Sequence, residues 1–147
     1  NMALLTSTRT VQSPLVAHFS FNHDDTMVDD EGVTLDFGLL NVANETTFVV
    51  IPLPPGAIVT GGAFTRTEEF DTAGYDVTVG DTTDEDRYLA TGDLKAVGTS
   101  PLVPTGYVGV GENIVINIQC DDVCTTGKAI LTVEYIVDSR ACEVQIA

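Results

Sequence analysis

The dominant spacing of apolar residues along this chain is two. In "LVAHFSF" the residues Leu15, Ala17, Phe19 and Phe21 fall on one face, and in "VTLDFGL" Val33, Leu35, Phe37 and Leu39 do, with Thr34, Asp36 and Gly38 opposite. "YDVTV" aligns Tyr75, Val77 and Val79, "IVINIQ" aligns Ile114, Ile116 and Ile118, and "AILTVEYIV" aligns Ala129, Leu131, Val133, Tyr135 and Val137. Strict alternation marks a strand with one face in a core. Further strands are expected at 46–51, 57–70 and 106–110. Turn-forming stretches separate these runs: "NHDDTMVDDEG", "PLPPG", "DTAG", "PTG" and "CDDVCTTG". Pro52, Pro54 and Pro55 lack the N–H a central strand must donate. Many short strands with no intervening amphipathic helix predict an all-β fold, an antiparallel, jelly-roll-like β-sandwich.

One stretch breaks the rhythm. In "TVGDTTDEDRYLATGDL", residues 78–94, a strand runs into Asp81, Asp84, Glu85, Asp86 and Asp93. Thr83 followed by Asp86 resembles a capping box, and acids in a first turn favour the helix dipole. Arg87 to Ala90 would continue the turn and Gly92 would stop it. Asp93 would cap a second turn through Leu94, Lys95 and Ala96, ended by Gly98. One or two short helical turns are therefore expected near 82–97.

A length of 147 residues suits one domain. Residues 1–14 read as an extended N-terminal arm, Thr/Ser-rich, carrying Arg9 and ending at Pro14; residues 15–147 read as the sandwich. The opening "NMALLTSTRTVQSP" lacks the basic n-region and long apolar h-region of a secretory signal. No apolar run reaches the roughly 20 residues that span a bilayer as a helix.

Charge narrows the function classes. The chain has 22 acids against 6 bases, a net charge of −16. That balance repels phosphate backbones and anionic membranes, so neither nucleic acid nor membrane is expected as a partner. The composition, 44% hydrophobic and 19% charged, is that of a chain that folds.

No catalytic or metal constellation emerges. "DTTDEDR" and "HDDTMVDDEG" lack the alternating oxygens, central Gly and closing Glu of an EF-hand loop. Among 22 acids a glycosidase-like pair arises by chance, and the chain has no Trp to stack a sugar. His18 falls on the polar face of its strand, and neither it nor His23 has a nucleophile motif beside it. "GVGENI" is a turn between strands and no phosphate loop. No enzyme activity and no cofactor are expected. Cys120 and Cys124 in "QCDDVCTTG" form a possible disulfide with Cys142 left over, and three reduced thiols are the alternative.

The motifs in order have a family look: "FSFNHDDTMV", "LDFGLLNV", "VIPLPPGAIVTGGAF", "YDVTVGDTTDEDRYLATGDLKAVGT", "PTGYVGVGENIVINI" and "AILTVEYIVDSRACEVQ". Over residues 15–146 the chain resembles capsid cement, decoration or head-associated proteins of tailed bacteriophages. The resemblance implies a non-catalytic virion structural protein, made in the host bacterial cytoplasm and bound to the capsid exterior, where it stabilises the head. It implies the major capsid protein as partner and a homo-oligomer, a trimer before a dimer. Cys142 stands where relatives carry a small polar residue. The alternative within the virion is a head fibre or a receptor- or glycan-binding β-sandwich module. Scarcity singles out the cations: Arg9 in the arm and Arg140 past the last strand are candidate capsid or subunit contacts. Arg66, Arg87, Lys95 and Lys128 are expected to pair with local acids.

Overall fold

The computed structural model describes residues 13–39 and 45–138. Its elements, in order, are β1 (Leu15–Asn22), β2 (Thr26–Val28), β3 (Thr34–Asp36), β4 (Thr46–Ile51), β5 (Ala57–Glu68), β6 (Tyr75–Asp81), β7 (Asp84–Asp93), β8 (Gly98–Pro101), β9 (Ile114–Cys120) and β10 (Lys128–Val137). Every pairing is antiparallel. One sheet has the strand order β1-β10-β5-β8 and the other β4-β9-β6-β7, with β2 and β3 forming a separate hairpin. Successive long strands change sheets except at β6–β7, which is the double Greek key of a jelly roll. The expected sandwich is present.

Alternation explains the core. Phe21, Val59, Phe64, Leu131 and Val133 face inward from the first sheet, and Phe48, Tyr75, Val77, Val79, Ile114, Ile116 and Ile118 from the second; all are buried. Phe37, just past β3, enters between them: its ring lies 4.4 Å from that of Phe21 and 4.8 Å from that of Phe48. Phe70 and Tyr75 continue the aromatic row at 4.5 Å. The Tyr75 hydroxyl, deep in apolar surroundings, donates to the Phe37 carbonyl at 2.7 Å. A buried hydroxyl needs such a partner, because an unpaired one costs about 1–3 kcal/mol.

Three expectations fail locally. Residues 84–93 form strand β7 and no helical turn. The carboxylate that organises this turn is that of Asp81: it accepts from the N–H groups of Thr83 and Asp84 at 3.0 and 2.9 Å and from the Thr83 hydroxyl at 2.8 Å. A tight β6–β7 hairpin results, with no capping box between Thr83 and Asp86. Residues 106–110 make an isolated bridge, Ile58 to Val108, and no strand. Conversely, "TMV" inside the expected turn 22–32 pairs as β2.

Candidate interaction surface

Two runs of the sequence, 46–65 and 96–111, contain no Asp, Glu, Lys or Arg. The fold brings their loops together. The β4–β5 connection (52–56) and the β8–β9 connection (102–113) meet at one end of the sandwich. There the Gly56 N–H donates to the Gly109 carbonyl at 2.7 Å and the Gly109 N–H to the Ala57 carbonyl at 2.9 Å. Val103, Val108 and Val110 are 63%, 44% and 79% exposed on this end, beside exposed Pro52, Pro54, Pro55 and Pro104. In a chain of net charge −16 these two loops, whose one charged residue is Glu112, stand apart.

The described chain also starts and finishes here. Leu15 pairs with Tyr135, and Val137 with Ala57, while the Asp138 N–H reaches the Gly56 carbonyl at 2.7 Å. Arg9, Arg140 and Cys142 lie outside the described residues, as does all of the expected arm except Ser13 and Pro14. Asp138, exposed, is the last described residue.

A polar clasp fixes the long β8–β9 loop against the second sheet. Asp81, 3% exposed, pairs with Arg87 at 2.6 Å. The Arg87 guanidinium lies 3.8 Å from the centre of the Tyr107 ring, a cation–π contact. The Tyr107 hydroxyl donates to Glu112, whose other oxygen accepts the Val110 N–H at 2.7 Å. The Val103 N–H donates to the Tyr88 carbonyl at 2.8 Å. Burial pushes the Asp81 carboxyl up, but the Arg87 and Thr83 hydrogen bonds outweigh it and hold the group below the usual carboxylate range. The Tyr107 hydroxyl likewise lowers Glu112, and Glu112 raises Tyr107. These two carboxylates are thus committed to the loop and are not offered to solvent ions.

The described cations divide. Arg87 pairs with Asp81 and, at 3.8 Å, with Asp84; Lys128 stands 3.9 Å from Glu68. Arg66 and Lys95 depart from the expectation of acid partners. Arg66, 8% exposed, donates to the carbonyls of Ala96 and Phe64 and to the Ser100 hydroxyl. Lys95 donates to the Ala73 carbonyl at 2.9 Å. Both tie strand ends and loops at the far end of the sandwich.

The cysteine pair is brought together. Cys120 and Cys124 are buried thiols with their sulfurs 4.0 Å apart. Burial, then the neighbouring Cys120, pushes the Cys124 thiol up to about 12. A raised, buried thiol such as that of Cys124 is a poor nucleophile, because the thiolate is the reactive form. Among the described residues no group of three or more His, Cys, Asp or Glu is placed to hold a metal ion. Asp71 is an acid already engaged: its carboxylate accepts from the Thr125 hydroxyl and from the N–H groups of Thr126 and Thr125, which lowers it to about 2. It cross-links the loops at 69–74 and 121–127.

The apolar end was legible in part. The absence of charge in 96–111 is visible in the sequence; its meeting with 52–56 requires the jelly-roll path. The Asp81–Arg87–Tyr107–Glu112 clasp had no sequence signal, since Tyr107 lies twenty residues from Arg87 along the chain.

No family model and no curated protein matches this chain. Solved structures do. A chain of the cyanophage Pam1 capsid asymmetric unit superposes with a TM-score of 0.57 at 18% identity, over 93% of each chain. A chain of the acidic stable capsid structure of Helicobacter pylori bacteriophage KHP30 superposes with a TM-score of 0.60 at 18% identity, over 94% of this chain and 98% of that one. This chain is similar to both in fold along almost its whole length.

Proposed function

We propose that this protein is a bacteriophage virion structural protein, a cement or decoration protein on the capsid exterior that stabilises the head. The observation that carries the reading is the fold likeness over nearly the full chain to chains of two phage capsids. Because those chains are covered almost end to end, each is a single sandwich of about this length.

The physics of the surface supports the role. A protein that binds only assembled shell stabilises it by mass action. The apolar end is the seat on the shell. It buries apolar valine and proline surface with few carboxylates to desolvate, and the clasp and backbone bonds hold it in one shape before docking. The described chain begins at Ser13 and ends at Asp138 on this end; Arg9 and Arg140, outside the described residues, are the proposed contacts to the shell or a neighbouring subunit, each able to make a bidentate contact to a carboxylate. The acidic remainder faces outward and keeps virions apart in solution.

The test is binding to capsids that lack this protein. The unmodified chain binds; deletion of residues 1–13, Arg140→Ala, and Val110→Asp each weaken binding, the first two with a reduced salt dependence. Failure of the unmodified chain to bind such capsids removes the reading. Binding to host cells in place of capsids replaces it with a receptor-binding module.

A further inference from the structure

The two sheets have four edges, and three of them are protected. The edge of β4 is capped by the β2–β3 hairpin, whose Asp30 N–H donates to the Thr47 carbonyl at 3.0 Å. The edge strand β7 carries Asp84, Glu85, Asp86 and Arg87, has register shifts against β6, and has its Tyr88 carbonyl taken by Val103. The edge strand β8 spans only Gly98–Pro101 and ends in proline. Charges, bulges, short length and proline are the devices by which folded proteins keep sheet edges from pairing with other chains.

The fourth edge, β1, has none of them. It is eight residues long, "LVAHFSFN", with no charged residue and no proline. It pairs with β10 from Leu15↔Tyr135 to Asn22↔Lys128 without a register shift. Among the described residues, no backbone group of 15–21 is bonded except to β10. Beside it lies a cavity of about 290 Å³ lined by Phe19, Phe21, Met27 and Phe37 among others. Val16 on its outer face is 50% exposed.

We propose that β1 pairs with β1 of a second copy of this chain, antiparallel about a two-fold axis, joining the two four-stranded sheets into one of eight strands. Charge selects the occupant. Two copies of net charge −16 repel wherever their acidic faces meet, yet β1 itself carries no charged residue, and the one carboxylate lining the cavity beside it is that of Asp25. Geometry permits it. Residues directly opposite in an antiparallel pair lie on the same side of the sheet. The inward set Leu15, Ala17, Phe19 and Phe21 therefore meets its own copy and extends the core layer. The outward set Val16, His18 and Ser20 meets its own copy in solvent. The interface is isologous, as a two-fold contact must be. A pairing of one strand falls below the roughly 800 Å² per partner of a standard interface, so dissociation in the micromolar range or weaker is expected in solution. Neighbours held on a shell lattice have a far higher effective concentration. The inference concerns the free protein and does not depend on the capsid reading.

The experiment is sedimentation equilibrium of the full chain from about 5 to about 500 µM, a span set by that affinity, with hydrogen exchange read on peptides covering 15–22. The expected result is a monomer–dimer equilibrium, with exchange at 15–22 slowing as concentration rises. Val16→Glu combined with Ser20→Glu, both on exposed positions, shifts the equilibrium at least tenfold toward monomer while circular dichroism and melting temperature stay unchanged. A monomer throughout the range overturns the proposal. So does an oligomer of any size whose 15–22 amides exchange as fast as at low concentration, or one that the double substitution leaves intact. Protection of 15–22 only on addition of a capsid protein, with this chain monomeric, assigns the edge to that protein and also overturns it.

Discussion

Replacing Asp81 by asparagine removes one charge from the clasp and keeps its shape. The carboxylate accepts four close hydrogen bonds, from Thr83 N–H, Thr83 hydroxyl, Asp84 N–H and Arg87 Nε. Asparagine's carbonyl oxygen retains the turn bonds but loses the charge-assisted bond to Arg87, worth about 1.5–3 kcal/mol. The Asp81 and Arg87 side chains are 4% and 17% exposed, so solvent screening discounts this little. About 2 kcal/mol is expected for Asp81→Asn. Asp81→Ala also strands the two turn N–H groups and leaves Arg87 without its partner, for a total of about 4 kcal/mol. For a chain of this size the melting temperature falls about 2–4 °C per kcal/mol, so roughly 6 °C and 12 °C are expected. The pH dependence carries the sharper test. The folded-state carboxyl lies below its ordinary value. Its stabilisation is therefore fully present above the unfolded value near 4 and is lost as pH falls through the lower folded value. Urea melts of wild type and Asp81→Asn at pH 7, 5, 4, 3 and 2 give a constant gap from 7 to 5 that closes below 4. A gap that persists unchanged to pH 2, or no gap at pH 7, refutes the assignment of the stabilisation to this ion pair.

Further outcomes follow from single positions. Gly62 has φ +128°, and a Cβ there would stand 2.1 Å from the Thr132 carbonyl oxygen, so Gly62→Ala lowers stability by about 2–4 kcal/mol in urea melts; a loss under 1 kcal/mol contradicts this close approach to β10. Phe37→Ala removes the ring between Phe21 and Phe48 and costs about 3–5 kcal/mol, checked by the same melts. In the native protein Cys120 and Cys124 resist alkylation and react once urea unfolds the chain; mild oxidation joins them to each other, read by peptide mass spectrometry, and a Cys142–Cys120 link within one chain would contradict the pairing. Chelation by EDTA leaves the melting temperature unchanged, and a drop of 10 °C or more would reveal a cation held by the acidic loops.

How much the sequence disclosed depended on whether burial kept to one face. Strand β4 falls on the expected range and β1, β5, β6, β9 and β10 within a residue or two, because apolar residues recur every second position over most of each, with one slip in β4 between Phe48 and Ile51 and one in β5 between Val59 and Phe64. Strand β7 hid for a physical reason. It pairs Gly92 with Val77 but Leu89 with Val79, so an extra residue is accommodated between those pairs. That bulge buries adjacent Tyr88 and Leu89 together, which breaks period two and imitates one face of a helix. Strand β9 misled in the opposite direction. Alternation places Val115 and Asn117 in solvent, yet both are buried, with the Asn117 amide bonded to Thr47 and Glu85. Central position, with β4 and β6 on either side, decides that, and no local pattern reports it. The apolar end combined both cases: its composition could be read directly, while the partners of Tyr107 and Arg87 could not, since side-chain convergence across sheets leaves no periodic trace.

The jelly-roll path sends alternate connections to opposite poles, and this has a practical corollary for engineering. The described chain enters and leaves beside loops 52–56 and 102–113. The connections at 69–74, 94–97 and 121–127 leave from the opposite pole. Two of these are bound together by Asp71 through Thr125 and Thr126. The third, 94–97, carries Val97 at 65% exposure on its crest. An epitope or enzyme tag spliced into that crest would project from the pole opposite loops 52–56 and 102–113.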